Sequence, residues 1–143
     1  MNVKTLHIDI VSAEKAMYSG DVAQVIATGE AGELGITPGH TALITTLKPG
    51  EIHLFHTDGT QEIFFVSGGI FEVQPHLITV LADAVERAED LDEMVALEAK
   101  ERAEKMMADK SADIDYGKVA VELAEAMAQL RAISKMRDKL GMK

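Results

Sequence analysis

The sequence predicts an all-β sandwich, or flattened barrel, followed by an α-helical antiparallel hairpin. Up to about residue 86, apolar residues recur with period two, as in strands that bury one face. All 3 prolines and 9 of the 11 glycines lie in that part, between the apolar runs. Beyond it, glycine and proline nearly vanish and the apolar spacing becomes helical. We therefore divide the chain into residues 1–86, the sandwich, and residues 87–143, which we call the arm.

The clearest strand predictions are four alternating runs separated by turn residues. Some runs are apolar on both faces, which is typical of strands in a two-layer stack. The strongest turn signal is Asp58-Gly59, because both residues tolerate the positive φ of a tight hairpin. Closely spaced turns between short strands favour a sandwich or barrel. The four runs lie at residues 6–11, 52–56, 63–67 and 78–83.

Two helices are predicted in the arm. The first begins near Leu91, with Asp90 as its N-cap. The second extends from Tyr116 to Leu140, with Asp113 or Asp115 as its N-cap and Gly141 as its end. A polar break at residues 110–115 separates them, and two helices joined by a short loop form an antiparallel hairpin.

Alanine dominates the predicted contact surfaces of the arm, with eleven alanines between residues 88 and 132. Alanine lets helices approach closely but buries little apolar area, with each buried carbon contributing about 0.8 kcal/mol. A contact of this kind suits a hairpin that opens or undocks. A small hairpin that never moves fits the same pattern, and the sequence leaves both readings open.

Charge is distributed unevenly along the chain. The net charge is −10, yet residues 131–143 hold five basic residues and one acid. An acidic chain repels phosphate, which argues against general nucleic-acid binding. The basic end instead predicts contact with an acidic protein surface, although lysines that favour a helix C-terminus would look the same.

Cysteine is absent, which excludes disulfides and thiolate metal sites. The longest apolar run has four residues, far short of the roughly 20 that span a bilayer. The first residues lead directly into an alternating pattern, so we expect no targeting signal.

No catalytic or metal-binding set is predicted. His53 and His56 point to opposite faces of a strand, and neither a phosphate-binding loop nor a nucleophile turn is present. Glu33 and His40 are the polar groups of a glycine-rich segment that we expect to form a loop. An enzyme using His40 with Glu33 is one alternative, but no third group orients them. A free-standing ligand-binding sandwich with a helical dimerisation tail is another, although the 6 aromatic residues are few for a binding groove.

Three segments of the sandwich strongly resemble the epsilon subunit of bacterial F-type ATP synthase. They are residues 11–20 (VSAE, then MYSG), residues 28–40 (TGEAGELGITPGH) and residues 67–83 (SGGIFEVQP, then VLAD). The arm matches through residues 90–93 (DLDE) and residues 123–131 (LAEA, then QLR). The resemblance covers nearly the whole chain and implies a ten-stranded sandwich before the two helices.

The resemblance also implies partners. It places Glu33 at the membrane-embedded c-ring, His40 toward the gamma subunit, and Ser12 at the junction of the two. It implies a non-catalytic subunit of the central stalk, or rotor, on the cytoplasmic face of the bacterial plasma membrane. There the sandwich would join gamma to the c-ring and couple proton-driven rotation to ATP synthesis, and the arm would inhibit ATP hydrolysis. The basic end suggests that Arg131, Lys135 and Arg137 contact the alpha and beta subunits transiently.

One departure from the family concerns nucleotide binding. Some epsilon subunits resemble ATP sensors with a Leu/Ile-Asp-x-x-Arg-Ala segment. Here residues 91–96 read LDEMVA, and Val95 replaces the arginine. Arg102 remains, but Glu125 and Gln129 stand where ATP-binding members have basic residues. Fewer cations around a triphosphate lower its affinity, so we expect weak or absent ATP binding and no cofactor.

Overall fold

The computed structural model of the chain describes residues 4–110 and 113–139. These ranges hold nine strands, against the ten implied by the resemblance. They are β1 (Leu6–Ser12), β2 (Ala16–Val22), β3 (Gln24–Gly29), β4 (Gly32–Ile36), β5 (Leu43–Phe55), β6 (Gln61–Val66), β7 (Gly69–Val73), β8 (Leu77–Ala82) and β9 (Val85–Arg87). Strands β1, β3 and β8 alternate between buried and more exposed residues, whereas residues 63–66 of β6 are buried on both faces.

Strand β5 belongs to both layers of the sandwich. Its first half pairs with β7, and the sheet continues through β8 and β1 to β2. Its second half pairs with β6 on one side and with β3 on the other, and β3 pairs with β4. The two halves meet at Pro49-Gly50. The sheet is not closed, which confirms a sandwich with free edges.

The core lies between the two layers. It joins Ile8 and Ile10 of one layer to Ile52 and Leu54 of the other, and all four side chains are fully buried. Phe64 and Phe71 are the largest side chains that are fully buried in it. The β5–β6 connection forms the predicted turn at Asp58-Gly59, and Gly59 has the positive φ of 89° that such a turn favours.

The arm forms the predicted antiparallel hairpin. After a 3₁₀ turn at Ala88–Asp90, helix α1 spans Glu93–Ala108 and helix α2 spans Tyr116–Lys139. Near the end of α2, Arg137 pairs with Glu93 at the start of α1, which shows the antiparallel direction. The 24 residues of α2 give a helix about 36 Å long. The predicted end of α2 at Leu140 and Gly141 lies outside the described residues.

The caps of the two helices differ partly from prediction. Asp90 is not the N-cap of α1, because it ends the 3₁₀ turn. Asp92 caps α1, and its Oδ1 accepts hydrogen bonds from the backbone N of Met94 at 2.9 Å and of Val95 at 3.3 Å. For α2, the cap is Asp115, whose Oδ1 accepts a bond from the backbone N of Lys118 at 3.2 Å.

Candidate functional site: two outer faces of the sandwich

The outer face of β6 is covered by the arm. Ile63 and Phe65 point away from the main core and pack against Ala128 and Ala132 of α2. Both alanines are fully buried. Ala88, Leu91 and Met136 complete this second apolar cluster. The alanines thus lie in the contact between α2 and the sandwich as well as between the helices.

All three predicted basic residues of α2 form ion pairs when the arm lies on the sandwich. Lys135 Nζ is 2.6 Å from Glu51 Oε1 and 3.9 Å from a carboxylate oxygen of Glu33. Arg131 Nε is 3.9 Å from Glu51 Oε2. Arg137 pairs with Glu93 of α1, and this hydrogen bond lowers the pKa of the Glu93 carboxyl. In this conformation each of the three cations is therefore paired with a carboxylate of the same chain.

Sequence reasoning missed Glu51. It lies on the outer face of β5, where a polar residue is ordinary, yet α2 covers it and it is only 5% exposed. Lys139 lies further along the same contact, and its Nζ donates to the backbone O of Gln61 at 2.5 Å. The only signal in the sequence is an acid beside the alternating run at residues 52–56, which does not reveal the helix above it.

The outer face of the other layer carries exposed apolar residues. Leu81 of β8 pairs with Val11 of β1 on one side and with Ile70 of β7 on the other. Leu81 is 50% exposed and Ile70 is 45% exposed. Ile70 in turn pairs with Thr46 of β5, and Ile44, two residues away on the same face, is also exposed. We call Val11, Ile44, Ile70 and Leu81 the open face, and adjacent exposed apolar residues of this kind make it a candidate binding surface.

The three residues predicted to contact gamma and the c-ring lie on different elements. Ser12 ends β1 and lines a recess together with Ile70 and Leu81 of the open face. Glu33 is exposed, but it lies in strand β4 and not on a loop, so that part of the prediction is wrong. His40 does lie on a loop, between β4 and β5, where its Nδ1 donates to the backbone O of Thr41 at 2.7 Å. β1 and β4 are separated by four strands in the sheet order.

Two histidines of the sandwich, His7 and His56, make polar contacts with nearby carboxylates. His7 Nδ1 is 2.9 Å from Asp21, and this hydrogen bond is the main reason that the pKa of His7 is raised. His56 Nε2 is 2.7 Å from Glu62, which also accepts a hydrogen bond from Arg87. Within the described ranges, no group of three or more candidate side chains has the arrangement that holds a metal ion.

Two recesses border α2, and both are lined with acids. One of about 320 Å³ lies between α2 and the sandwich and includes Asp83, Glu86 and Glu125. A smaller one of about 150 Å³ lies between the helices, where Arg102 faces Glu122 and Glu125. Burial raises the pKa of the Glu125 carboxyl, and the nearby charges of Glu122 and Asp83 raise it further. Neither recess offers the several cations that a triphosphate requires.

Together, these features define a class of protein. A rigid sandwich presents an open apolar face on one layer, and a helical arm covers the other layer through small side chains and ion pairs. This arrangement is typical of a protein-binding subunit in which a helical arm is docked on a separate sandwich. No helix in the described part of the chain combines the length and apolarity of a membrane span.

Family comparisons identify the particular protein family. Residues 5–88 match the model for the β-sandwich domain of the ATP synthase delta/epsilon chain, and residues 89–134 match the model for its long α-helix domain. The chain therefore belongs to the ATP synthase delta/epsilon chain family, as the sequence segments predicted. It is 57% identical over 136 residues to the ATP synthase epsilon chain of Legionella pneumophila (strain Corby), covering 95% of this chain and 97% of that relative. It is 54% identical to the epsilon chain of Nitrosococcus oceani, covering 96% and 98%.

Solved structures share the fold at low sequence identity. A chain in the mitochondrial ATP synthase of Euglena gracilis (OSCP/F1/c-ring, rotational state 1) matches with a TM-score of 0.81 at 17% identity, covering 93% of this chain and 84% of that one. A chain in the central stalk and c-ring of the Tetrahymena thermophila mitochondrial ATP synthase matches with a TM-score of 0.56 at 14% identity, covering 95% and 98%. At these identities the likeness concerns the fold alone.

Proposed function

We propose that this chain is a non-catalytic rotor subunit of an F-type ATP synthase. The sandwich joins the gamma subunit to the c-ring, and the arm restrains ATP hydrolysis. The observation that carries the proposal is the open face, an uncovered apolar surface on the sandwich of a delta/epsilon-family chain. The subunit works on the cytoplasmic face of a bacterial plasma membrane, which it reaches through the complex.

The sandwich role rests on rigidity and on separate contact surfaces. A packed two-layer core transmits torque with little deformation, because its side chains are held at crystal-like density. The open face with Ser12 beside it supplies an apolar surface for gamma, and His40 lies nearer the opposite end of the same layer. Glu33 in edge strand β4 supplies a polar contact for the loops of the c-ring.

The inhibitory role rests on the charge of α2. Moving the arm away from the sandwich would free Arg131 and Lys135 from their present carboxylate partners, and separating α2 from α1 would free Arg137 from Glu93. These cations would then pair with acidic residues of the alpha and beta subunits and block rotation in the hydrolysis direction. The arm is the bistable element, with a docked and an extended arrangement.

ATP binding to the arm is weak or absent in this proposal. Val95 stands in place of the motif arginine and is exposed. The recess between the helices places Arg102 opposite two carboxylates. Calorimetry on the full chain should therefore detect no micromolar ATP binding, and a micromolar isotherm would contradict this part.

Substitutions on the open face test the sandwich role. Leu81→Asp places a charge at the centre of the open face, and we expect it to abolish co-purification of the chain with gamma. Val121→Asp is the matched control, because Val121 is 53% exposed on α2, away from the open face. If both variants, or neither, lose gamma, the open face is not the gamma interface.

A truncated chain tests the inhibitory role. The cut belongs after Asp90, because Ala88 belongs to the apolar cluster of Ile63 and Phe65 and keeps part of it covered when α2 is removed. Complexes rebuilt with this truncated chain should hydrolyse ATP faster than complexes with the full chain, while gamma binding persists. Unchanged hydrolysis would remove the inhibitory role and leave the rotor role intact.

A further inference from the structure

Glu51 is the one buried charged side chain in the described part of the chain. It lies on β5 beneath α2, and its Oε2 accepts no hydrogen bond from any described residue. A carboxylate removed from water in this way is unfavourable unless a cation compensates it. The arm itself causes the burial, since the outer face of β5 would otherwise meet solvent.

The compensating cations come from the same helix that buries the carboxylate. Lys135 Nζ lies 2.6 Å from one oxygen, which is close enough for a charge-assisted hydrogen bond. Arg131 Nε lies 3.9 Å from the other oxygen, an ion-pair distance without a hydrogen bond. The arm thus brings both the desolvation of Glu51 and its neutralisation, and Lys135 makes the closer contact.

We propose that Glu51, Lys135 and Arg131 form an ionic latch that makes docking of the arm conditional on the charge of Lys135. When Lys135 is charged, the docked arm covers a neutralised pair. When Lys135 loses its charge, docking traps a poorly compensated carboxylate, whereas undocking returns Glu51 to water. The docked state therefore loses stability relative to the open state, although the apolar contacts of α2 are unchanged.

The latch has a consequence for regulation, and this consequence rests on the proposed function. Arg131 and Lys135 are needed both by Glu51 in the docked state and by the acidic partners in the extended state. The two sets of anions therefore compete for one set of cations. A change on α2 alters both states, whereas a change at Glu51 alters only the docked state.

The latch is tested in the full chain by measuring the distance between arm and sandwich. The protein has no cysteine, so spin labels attach only at introduced sites. Thr57→Cys near the β5–β6 turn and Ser134→Cys on α2 are both exposed positions. The distance distribution between the labels then separates docked from undocked molecules.

Three variants of the spin-labelled protein test whether the charge of Lys135 controls docking of the arm. Lys135→Met should lower the docked-to-undocked ratio by about tenfold or more, the scale set by a lost hydrogen bond to a charged group. Adding Glu51→Leu to Lys135→Met should return the ratio to within about twofold of the parent, because the trapped charge is gone. Lys118→Met, which removes an exposed lysine from the first turn of α2, should change nothing. A parent-like distribution for Lys135→Met, or a double variant as open as the single one, would overturn the latch.

The reconstituted complex separates the latch from the proposed function. Glu51→Lys repels Lys135 in the docked state and leaves every cation of α2 in place. The spin-label distance should lengthen, and inhibition of ATP hydrolysis should increase. A lengthened distance with unchanged hydrolysis supports the latch and contradicts the inhibitory role, whereas an unchanged distance contradicts the latch. Circular dichroism of each variant confirms that the sandwich remains folded.

Discussion

Replacing Gly69 with alanine should destabilise the sandwich far more than the same change at Gly59. Gly69 begins β7 and pairs with Leu47 and Ala82. Its φ is 139°, a conformation that residues with a Cβ rarely adopt. A Cβ at this position would lie 2.1 Å from the backbone O of Leu81, and a backbone oxygen cannot rotate away. Gly59 also has a positive φ, of 89°, but a Cβ there meets nothing within 4 Å.

The two sites share one energetic term and differ in another. The left-handed backbone costs about 1–2 kcal/mol for a residue with a Cβ, and this applies to both. The clash with β8 adds about 1–3 kcal/mol at Gly69 alone, the usual range for overfilled packing. We therefore expect Gly69→Ala to lose about 2–5 kcal/mol and Gly59→Ala about 1–2 kcal/mol.

Thermal unfolding followed by circular dichroism measures the difference. At about 4 °C per kcal/mol for a chain of this size, Tm should fall by about 8–20 °C for Gly69→Ala and by about 4–8 °C for Gly59→Ala. Equal shifts for the two variants would refute the reasoning, because only the contact with Leu81 separates them. A confirmed difference would give the physical reason for the glycine pair in residues 67–75.

Three further changes probe the arm and its contact with the sandwich. Ala128→Leu overfills a fully buried contact and should weaken docking of the arm by about 1–3 kcal/mol in the spin-label assay. Ala120→Leu, on the exposed side of α2, should leave docking unchanged. Equal effects of the two variants would contradict the packing of Ala128 against the sandwich. Asp92→Ala removes the cap of α1 and should lower the free energy of unfolding in urea by about 1 kcal/mol. Asp90→Ala should change that free energy by less than about 0.5 kcal/mol. The opposite order would identify Asp90 as the cap. Burial lowers the pKa of His53, and two lysines of α2 lower it further, so NMR titration should give a midpoint below 6.5. The folded-state pKa of His53 lies below the unfolded value, so this contribution to stability is present above about pH 6.5 and is lost as the pH falls through the lowered pKa. A midpoint above 6.5 would contradict both the burial of His53 and the nearness of the two lysines.

The strands that alternation predicts are all interior, for a physical reason, although the interior strands β3 and β7 are not among them. β1, β6, β8 and the second half of β5 were visible in the sequence because each buries one or both faces and so carries regular apolar residues. β2, β4 and β9 lie at edges of the sheet, with one free side, and each of them has only one buried residue. The glycines of β4 favour a loop in the sequence, because a short edge strand needs few apolar side chains and so shows no alternation.

The candidate site divides along similar lines. The basic end of α2 and the polar side chain of Glu33 are visible in the sequence because charge is a local property, whereas their contacts are not visible there. The burial of Glu51 was not predictable, because it depends on helix α2, which begins at Tyr116, far away in the chain. The same applies to the open face, whose members come from four strands and acquire meaning only when those strands are side by side.

The sequence by itself determined the order of strands followed by helices, the approximate positions of both helices, and the family to which the chain belongs. These follow from periodicity and from continuous motifs, which are local properties. Only the tertiary structure decided which face of the sandwich is covered, which cations of α2 meet which carboxylates, and that one of those carboxylates is buried. Burial and ion pairing depend on distances in space between remote residues, and no local pattern contains those distances.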